Sequence, residues 1–328
     1  MEYVLGIDQG GTKTAAVVMN REGHILGTGR GPGAYHISDG IGAAMEAVSA
    51  AAKAACAQAG LELREIRAVG AGITGMDWPE DYTLLYPALS RVLGVSDIRL
   101  FNDALGALYS GVPCDSGAVL CAGTGLNAAV RSPAGEEFVL GFYIEDADQG
   151  GSALARRAIQ CVFQSAIGLE KPTRLTDLFL KAAGEKTADD LLHRYIVDEA
   201  FSRSVKDLVP AIVDCGAEDP VTAGLLERFA ADISRYVRAG LERFHMLQTE
   251  TDVVLSGSVF KGGQNLLTDD VTRDILGFAP RARVVNARFE PVVGTALAAL
   301  SARPGLADFK TVWNNLAADA ALFGLERQ

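Results

Sequence analysis

The stretch Gly6-Ile7-Asp8-Gln9-Gly10-Gly11-Thr12-Lys13-Thr14 decides the fold of this chain, because a second stretch of the same design lies 112 residues later. The second stretch reads Cys121-Ala122-Gly123-Thr124-Gly125-Leu126-Asn127. In each, an apolar strand runs into a glycine–threonine turn, and another strand leaves the turn. Glycine lets backbone N–H groups approach an anion closely, and threonine adds a hydroxyl donor. Two such turns in a duplicated fold predict a nucleotide-dependent phosphotransferase that grips a polyphosphate from both sides.

The hydrophobic pattern around each turn predicts an α/β fold with two lobes. Residues 3–30 contain three short apolar runs joined by tight turns, and alternating helix and strand patterns follow. The same order restarts at Ser116. For a chain of 328 residues, two domains are the expected number. The predicted parts are an N-terminal lobe over 1–112, a C-terminal lobe with a helical insert over 113–290, and C-terminal helices over 291–328. We expect the first of these helices to pack back on the N-terminal lobe.

Composition and charge exclude several classes of partner. The chain has 41 acidic and 30 basic residues, a net charge of −11, and a pI near 4.9, which argues against nucleic acid or an anionic membrane as a main partner. Its five cysteines are widely spaced, so neither a disulfide framework nor a zinc site is expected. Strand-like residues begin at Tyr3 and leave no room for a signal peptide. These features predict a cytoplasmic protein.

Asp8 is a candidate metal ligand, since it lies where the first predicted strand ends, just before the glycines. Ligands bind at the carboxyl ends of strands in α/β folds, so a carboxylate at this position suits a Mg²⁺ shell. The alternative is an ordinary turn aspartate that accepts hydrogen bonds from nearby backbone N–H groups. The glycines and threonines of residues 10–14 favour the metal site.

Two other acidic motifs adjoin predicted helices. Asn102-Asp103 ends a strand and begins a helix, so Asp103 is either a helix N-cap or a general base that takes a proton from a substrate hydroxyl. The local sequence leaves both interpretations open. The loop Asp148-Gln149-Gly150-Gly151-Ser152 precedes a predicted helix. Such a loop can contact an anion, a metal or a polyol, and the alternative is a loop that only caps the helix.

Two weaker motifs complete the set of candidates. His36 follows Tyr35 in a loop with no paired carboxylate in sequence, so a structural or substrate-facing role is favoured over catalysis. Leu255-Ser256-Gly257-Ser258-Val259 has the pattern strand, tight turn, helix. Such a turn could let backbone pass against an adenine ring, but the pattern alone is nearly uninformative.

The order of these motifs resembles the actin/hexokinase/Hsp70 ATPase superfamily. Gly-Ile-Asp-x-Gly-Gly-Thr-Lys-Thr, Asn-Asp-Ala, Ala-Gly-Thr-Gly, Asp-x-Gly-Gly-Ser and Leu-Ser-Gly-Ser-Val follow one another along the chain. Within the superfamily, the chain is most similar to the N-acetylglucosamine kinase and BadF/BadG/BcrA/BcrD ATPase family, over about residues 3–300. The resemblance implies duplicated ribonuclease-H-like lobes with a central cleft that holds ATP and a substrate.

The resemblance also implies roles for particular residues. Asp103 matches the catalytic aspartate of the family. ATP phosphates are expected at Gly10, Gly11, Thr12, Lys13, Thr14, Gly123, Thr124 and Gly125, and adenosine at Gly257 and Ser258. Substrate contacts are expected at Tyr35, His36, Gly75, Asp77, Asn102, Asp103, Gly141, Phe142 and Asp148. Mg²⁺ is expected at Asp8 and Asp148.

The implied activity is that of an ATP-dependent kinase acting on a hydroxyl, expected to be O6, of an amino sugar such as N-acetylglucosamine or glucosamine. The sugar side departs from the family pattern, because Tyr35 replaces the usual Asn before His36 and Phe142-Tyr143 replaces Trp-Gly. The phosphate motifs are kept, so the resemblance implies kinase chemistry more directly than it implies a particular sugar. Kinases of this family are often dimers, and a homodimer is therefore a further expectation.

Two other functions are consistent with the same motifs. The first is a BadF-type ATPase that couples ATP hydrolysis to a partner enzyme, because Cys121-Ala-Gly-Thr-Gly superficially resembles a cluster-binding motif of that branch. The ordinary interpretation of Cys121 is a small buried strand residue. The second is a non-catalytic sugar sensor, which the retained Asp103 and the acidic charge disfavour.

Overall fold

The first five strands form one mixed sheet in the computed structural model, which describes residues 2–112, 116–261, 265–302 and 309–326. These strands are β1 (Tyr3–Gln9), β2 (Lys13–Asn20), β3 (Ile25–Pro32), β4 (Ile66–Ile73) and β5 (Ile98–Asn102). The order across the sheet is β3-β2-β1-β4-β5. The first three strands are antiparallel neighbours, while β4 and β5 run parallel to β1.

The second sheet repeats this topology. Its strands are β6 (Gly117–Ala122), β7 (Leu126–Arg131), β8 (Glu137–Val139), β9 (Thr251–Ser256) and β10 (Ala282–Asn286). The order is β10-β9-β6-β7-β8, with an antiparallel β6-β7-β8 hairpin pair and β9 and β10 parallel to β6. Read from the other edge, this is the order of the first sheet. The predicted α/β fold with two halves of one design is confirmed.

Helices cover both sheets and fill the insert of the second half. The helices are α1 (Gly40–Gln58), α2 (Pro79–Leu93), α3 (Asp103–Gly111), α4 (Gly150–Ala166), α5 (Leu175–Ala183), α6 (Ala188–Val197), α7 (Glu199–Ser204), α8 (Val209–Cys215), α9 (Pro220–Arg243), α10 (Leu266–Phe278), α11 (Pro291–Ser301) and α12 (Phe309–Leu322). Short 3-10 turns occupy Leu63–Glu65, Gly141–Tyr143, Asp146–Asp148, Val205–Leu208 and Ser258–Phe260. None of the helices in the described ranges is long and apolar enough to cross a membrane.

Some element ends differ from the sequence-based expectation. The apolar pattern predicts a strand over residues 24–29, whereas β3 continues to Pro32. It also predicts a strand over residues 136–141, whereas β8 ends at Val139, where a 3-10 turn follows. The sequence pattern predicts a helix near residues 263–276. The helix α10 begins at Leu266, because the side chain of Asn265 accepts a hydrogen bond from the Thr268 N–H and caps it. Residues 262–264 lie outside the described residues.

The helix α11 belongs in sequence to the end of the chain, yet it packs on the first sheet. Its residues Val292, Val293 and Leu297 share an apolar core with Val4 and Met19 of β1 and β2. The helix α11 lies unusually close to its neighbours, because glycines lie at the points of contact. A Cβ built on Gly70 of β4 would lie 1.8 Å from the Thr295 carbonyl oxygen, and one on Gly294 would lie 2.0 Å from the Gly106 carbonyl oxygen. Glycine is required at Gly70 for α11 to touch the sheet, and at Gly294 for α11 to touch α3.

The helix α3 lies between the two sheets. Leu105 and Leu108 of this helix share a buried cluster with Val119 of β6 and Val254 of β9. The carboxyl end of β5, where α3 begins, is thereby held against the second half. The predicted boundary near residue 112 adjoins 113–115, which lie outside the described residues, so the division into domains stays a prediction.

Candidate active site

A cleft of about 750 Å³ lies where the carboxyl ends of β1 and β6 face each other. Residues of both halves line it. The first half contributes Asp8, Gly10, Gly11, Thr12, Lys13, Tyr35, Thr74, Gly75, Asp77, Asn102 and Asp103. The second half contributes Cys121, Gly123, Gly125, Leu126, Asn127, Gly141, Phe142, Gln149, Ser256 and Gly257. The cleft therefore brings together most of the residues that the sequence predicted for one site.

The first glycine turn faces the cleft as far as Lys13. The turn is closed by a hydrogen bond of 2.9 Å from the Gly10 N–H to the Lys13 carbonyl oxygen. Thr14 points the other way: it is buried, and its hydroxyl donates to the Pro32 carbonyl oxygen at 2.7 Å. Side chains alternate between the two faces of a strand, so Lys13 and Thr14 of β2 cannot both face the cleft. The predicted phosphate contact of Thr14 is not supported by this placement.

The second glycine turn is open to the cleft through its glycines. The Gly123 N–H donates to the Gly125 carbonyl oxygen at 2.9 Å, and Thr124 at the tip is exposed. Gly257 lies beside this turn, because a Cβ on it would lie 2.0 Å from the Ala122 carbonyl oxygen. Its φ of +106° is a backbone conformation that favours glycine. Ser258 is exposed and lies outside the residues that line the cleft.

Asp103 is not the N-cap residue of α3, which was one of its two possible roles. The side chain of Asn102 caps α3 instead, since its Oδ1 accepts a hydrogen bond of 2.9 Å from the Ala104 N–H. Asp103 lies at the cleft, and burial raises the pKa of its carboxyl group to about 6. The charge of Asp77 acts in the same direction, while hydrogen bonds from the backbone N–H groups of Ala104 and Asp103 oppose it. A carboxylate with this pKa suits a general base near neutral pH.

A chain of polar side chains crosses the cleft beside Asp103. Asn102 Nδ2 donates to Asp77 Oδ1 at 2.8 Å, and Asn127 Nδ2 of the second half donates to Asn102 Oδ1 at 3.3 Å. The buried Oδ1 of Asn127 has no hydrogen-bond partner within the described residues. The sequence analysis missed Asn127. Its only signal was a polar residue just inside the apolar strand β7.

Of the residues predicted to contact the substrate in these loops, some line the cleft and another lies behind them. Tyr35 and Gly75 line the cleft, and Gly75 has a φ of +76° with the Tyr35 ring directly against it. His36 is buried behind them, with its Nε2 3.4 Å from Asp81 Oδ1. Asp81 also accepts hydrogen bonds from the backbone N–H groups of Asp77 and Trp78. His36 therefore supports the loop from behind and is not among the lining residues.

Two large aromatic rings meet across the mouth of the cleft. Trp78 of the first half and Phe142 of the second stack with centroids 6.1 Å apart and planes inclined by 19°. Both side chains remain more than half exposed, at 52% and 63%. Phe142 follows Gly141, and a Cβ on Gly141 would lie 3.1 Å from Asn127 Oδ1. The aromatic pair therefore lies beside the polar chain that contains Asn127.

Asp148 is turned away from the cleft. It is only 2% exposed, and its two carboxylate oxygens accept hydrogen bonds from Arg157, Arg235 and Tyr236. It is not among the lining residues, whereas its neighbour Gln149 is. This placement does not support the predicted contacts of Asp148 with substrate or metal. Sequence alone could not show this, because Arg235 and Tyr236 lie far away along the chain.

Asp8 is a carboxylate of the cleft that suits a magnesium ion beside the first glycine turn. It is half-buried and lines the cleft at the end of β1. Within the described residues, no group of three or more histidine, cysteine or acidic side chains could hold a metal alone. Mg²⁺ in nucleotide sites usually keeps several waters and binds one or two carboxylates plus the substrate phosphates. One carboxylate beside two glycine turns suits that mode.

One family model and two relatives of known name match most of this chain. The family model described as BadF/BadG/BcrA/BcrD ATPase family matches residues 5–299. A glucosamine kinase of Vibrio cholerae is 28% identical over 295 residues, which are 84% of this chain and 91% of that protein. An N-acetyl-D-glucosamine kinase of Dictyostelium discoideum is 23% identical over 321 residues, 92% of this chain and 99% of that protein.

The solved structures agree on the fold. A Chromobacterium violaceum protein, provisionally named as an N-acetylglucosamine kinase, superposes with a TM-score of 0.67 at 23% identity. The alignment covers 92% of this chain and 99% of that one. This likeness confirms the actin-like fold that the motif order predicted.

Proposed function

Because the chain belongs to the BadF/BadG/BcrA/BcrD ATPase family, we propose that it is an ATP-dependent kinase that phosphorylates a hydroxyl of an amino sugar. The observation that carries the proposal is the position of Asp103. It lies in one cleft with both glycine turns and is released from helix capping by Asn102. Two curated relatives along most of the chain, named as kinases of glucosamine and of N-acetyl-D-glucosamine, support an amino sugar as the acceptor.

The nucleotide end of the proposed site consists of backbone and small side chains. We assign the phosphates of ATP to the turns at residues 10–13 and 123–125, and the adenosine to the turn at Gly257. Asp8 would hold Mg²⁺, which in such sites neutralises part of the phosphate charge. Asp148 is left out of this metal shell because its carboxylate is engaged elsewhere.

The acceptor end of the proposed site contains the base and its orienting groups. Asp103 takes the proton of the attacking hydroxyl, which we place at O6 of the sugar. Asp77, Asn102 and Asn127 offer carboxylate and amide groups to the remaining hydroxyls. Trp78 and Phe142 cover the acceptor from the mouth and limit the access of water, which would otherwise receive the phosphoryl group. Transfer then depends on positioning and on the base more than on covalent chemistry.

The proposal is tested by ADP release with Mg-ATP against a panel of acceptors. The panel contains N-acetylglucosamine, glucosamine, N-acetylmannosamine, N-acetylmuramate, glucose and no sugar. We expect ADP release that depends on an amino sugar and is matched by an equal amount of sugar phosphate. Equal ADP release with every acceptor and with none would contradict a sugar kinase and favour an ATPase that serves a partner enzyme.

The raised pKa of Asp103 predicts the acid limb of the pH profile. The base acts in its ionised form, so raising its pKa moves the loss of activity to higher pH. We expect kcat/KM for the sugar to fall below about pH 6. Because the charge of Asp77 raises the pKa of Asp103, Asp77→Asn should shift this limb to lower pH.

The control for this shift is Asp232→Asn, which removes an equal charge from the surface of the second half. The titration of ATP is common to all three proteins and cancels in the comparison. An acid limb at the same pH in wild type and Asp77→Asn would show that the limb does not report Asp103.

A further inference from the structure

Asp148 is a buried carboxylate held by side chains of the helices α4 and α9. Arg157 of α4 donates to Asp148 Oδ1 at 2.7 Å. Arg235 and Tyr236 of α9 donate to Asp148 Oδ2 at 2.6 and 2.8 Å. Two of the three donors are cationic, and hydrogen bonds between charged groups are the strong ones. Turning this carboxylate toward the cleft would break all three bonds.

The same cluster fixes the backbone on either side of Asp148. The Tyr236 hydroxyl accepts a hydrogen bond from the Glu145 N–H at 3.1 Å while it donates to Asp148. Arg157 also donates to the Ala147 carbonyl oxygen at 2.8 Å. Residues 145–148 are therefore anchored to both helices, and the next residue, Gln149, emerges at a fixed place in the cleft.

The residues after Asp148 brace the second glycine turn. Gln149 Oε1 accepts a hydrogen bond from the Leu126 N–H at 3.1 Å. The Gly151 N–H donates to the Gly123 carbonyl oxygen at 2.8 Å, and the Ser152 N–H donates to the Thr124 carbonyl oxygen at 3.0 Å. Between them, Gly150 has a φ of +51°, and a Cβ there would lie 2.2 Å from the Gly125 carbonyl oxygen. Each residue of the turn is thus supported by the loop that Asp148 anchors.

We propose that Asp148 is a positioning residue for the nucleotide, acting through Gln149 and the backbone of residues 150–152 on the turn at 123–125. It contacts neither the sugar nor the metal. The inference rests on the proposed function in one respect, since it takes the turn at 123–125 as a phosphate-binding element. It assigns to Asp148, Arg235 and Tyr236 a shared effect on ATP affinity, although none of the three lines the cleft.

The test compares Asp148→Asn and Tyr236→Phe with the wild-type chain. Three quantities separate the roles: the affinity for ATP measured by calorimetry without sugar, the KM for the sugar, and the Mg²⁺ concentration that gives half-maximal rate. We expect the Kd for ATP to rise about tenfold in Asp148→Asn, which corresponds to about 1.4 kcal/mol. The change in Tyr236→Phe should have the same direction. The KM for the sugar and the Mg²⁺ requirement at saturating ATP should change little.

Asp232→Asn is the matched control. Asp232 accepts a hydrogen bond from the same Arg157 at 2.7 Å, but its side chain is 41% exposed and does not contact the loop. This variant should bind ATP as the wild type does. A merely destabilising effect of Asp148→Asn would lower all activities together at temperatures where part of the protein is unfolded. It would not separate the Kd for ATP from the KM for the sugar.

The measured Kd, KM and Mg²⁺ requirement decide whether Asp148 positions the turn or binds a ligand. Unchanged ATP affinity in Asp148→Asn, with a raised KM for the sugar or a raised Mg²⁺ requirement, would overturn it and restore Asp148 as a ligand. Should Asp148→Asn not fold, Tyr236→Phe decides in the same way, because it removes one donor and keeps the ion pairs. If the wild type binds ATP but phosphorylates no sugar, the proposed function fails while the Kd comparison still stands. If the wild type does not bind ATP, both fail.

Discussion

Replacing Asp103 by Asn is expected to lower kcat by about 10²–10⁴-fold, the usual contribution of a general base. The amide keeps the size of the side chain but cannot take the proton of the acceptor hydroxyl. Binding of ATP should be unchanged, because we propose that Asp103 acts on the sugar and not on the nucleotide. The measurement is the rate of sugar phosphate formation at saturating ATP and sugar, together with the Kd for ATP.

The stability of Asp103→Asn gives the control. The folded state raises the pKa of Asp103 to about 6, so it favours the neutral carboxyl group. The stability that this group contributes is present at acid pH and is lost as the pH rises through about 6. At pH 7 an uncharged amide should therefore leave the melting temperature unchanged or raise it. A variant that turns over at nearly the wild-type rate would exclude Asp103 as the base.

Gly257→Ala is expected to be the most damaging substitution on the nucleotide side. A φ of +106° strains any residue with a Cβ by about 1–3 kcal/mol. The new Cβ would also lie 2.0 Å from the Ala122 carbonyl oxygen, and that atom belongs to backbone next to Gly123. Relief of this clash must displace the backbone at Gly257 or the second glycine turn, and both line the cleft. We expect a lower free energy of unfolding in chemical denaturation and a Kd for ATP raised at least about tenfold.

Gly277→Ala is the matched control for that substitution. Gly277 lies in α10, its φ is not positive, and no atom lies within 4 Å of a Cβ built on it. Alanine at a helical position is better than glycine by up to about 1 kcal/mol, so this variant should be at least as stable as wild type. Wild-type stability together with wild-type ATP affinity in Gly257→Ala would contradict the role that we propose for the turn at Gly257.

Several strand and helix bounds could be predicted from the sequence, because glycine and proline mark the turns between these elements. The hydrophobic pattern predicts a strand over residues 66–73 and a helix over residues 79–93, and β4 and α2 have these bounds. The internal match between the two glycine turns correctly indicated a duplicated topology. These features are local, so short stretches of sequence carry enough information to place them.

The orientation of individual side chains could not be predicted in the same way. A motif fixes which residues are near a site but not which face of the strand each one occupies, as Lys13 and Thr14 illustrate. Asp148 was assigned to the site from its motif, yet its partners come from α4 and α9. Asn127 gave almost no signal, because its place in the cleft depends on pairing between the two halves. A homodimer and a cytoplasmic location stay predictions.

The position of α11 also bears on how the chain folds while it is being made. The five strands of the first sheet are complete once Asn102 has been synthesised, but the helix that covers one face of that sheet spans Pro291–Ser301. At the usual rate of translation, the nascent chain needs about 10–40 s to reach it. During this time the apolar face that α11 later buries is open to water or to a chaperone. We therefore expect the first half to reach its final state only when the last part of the chain has left the ribosome.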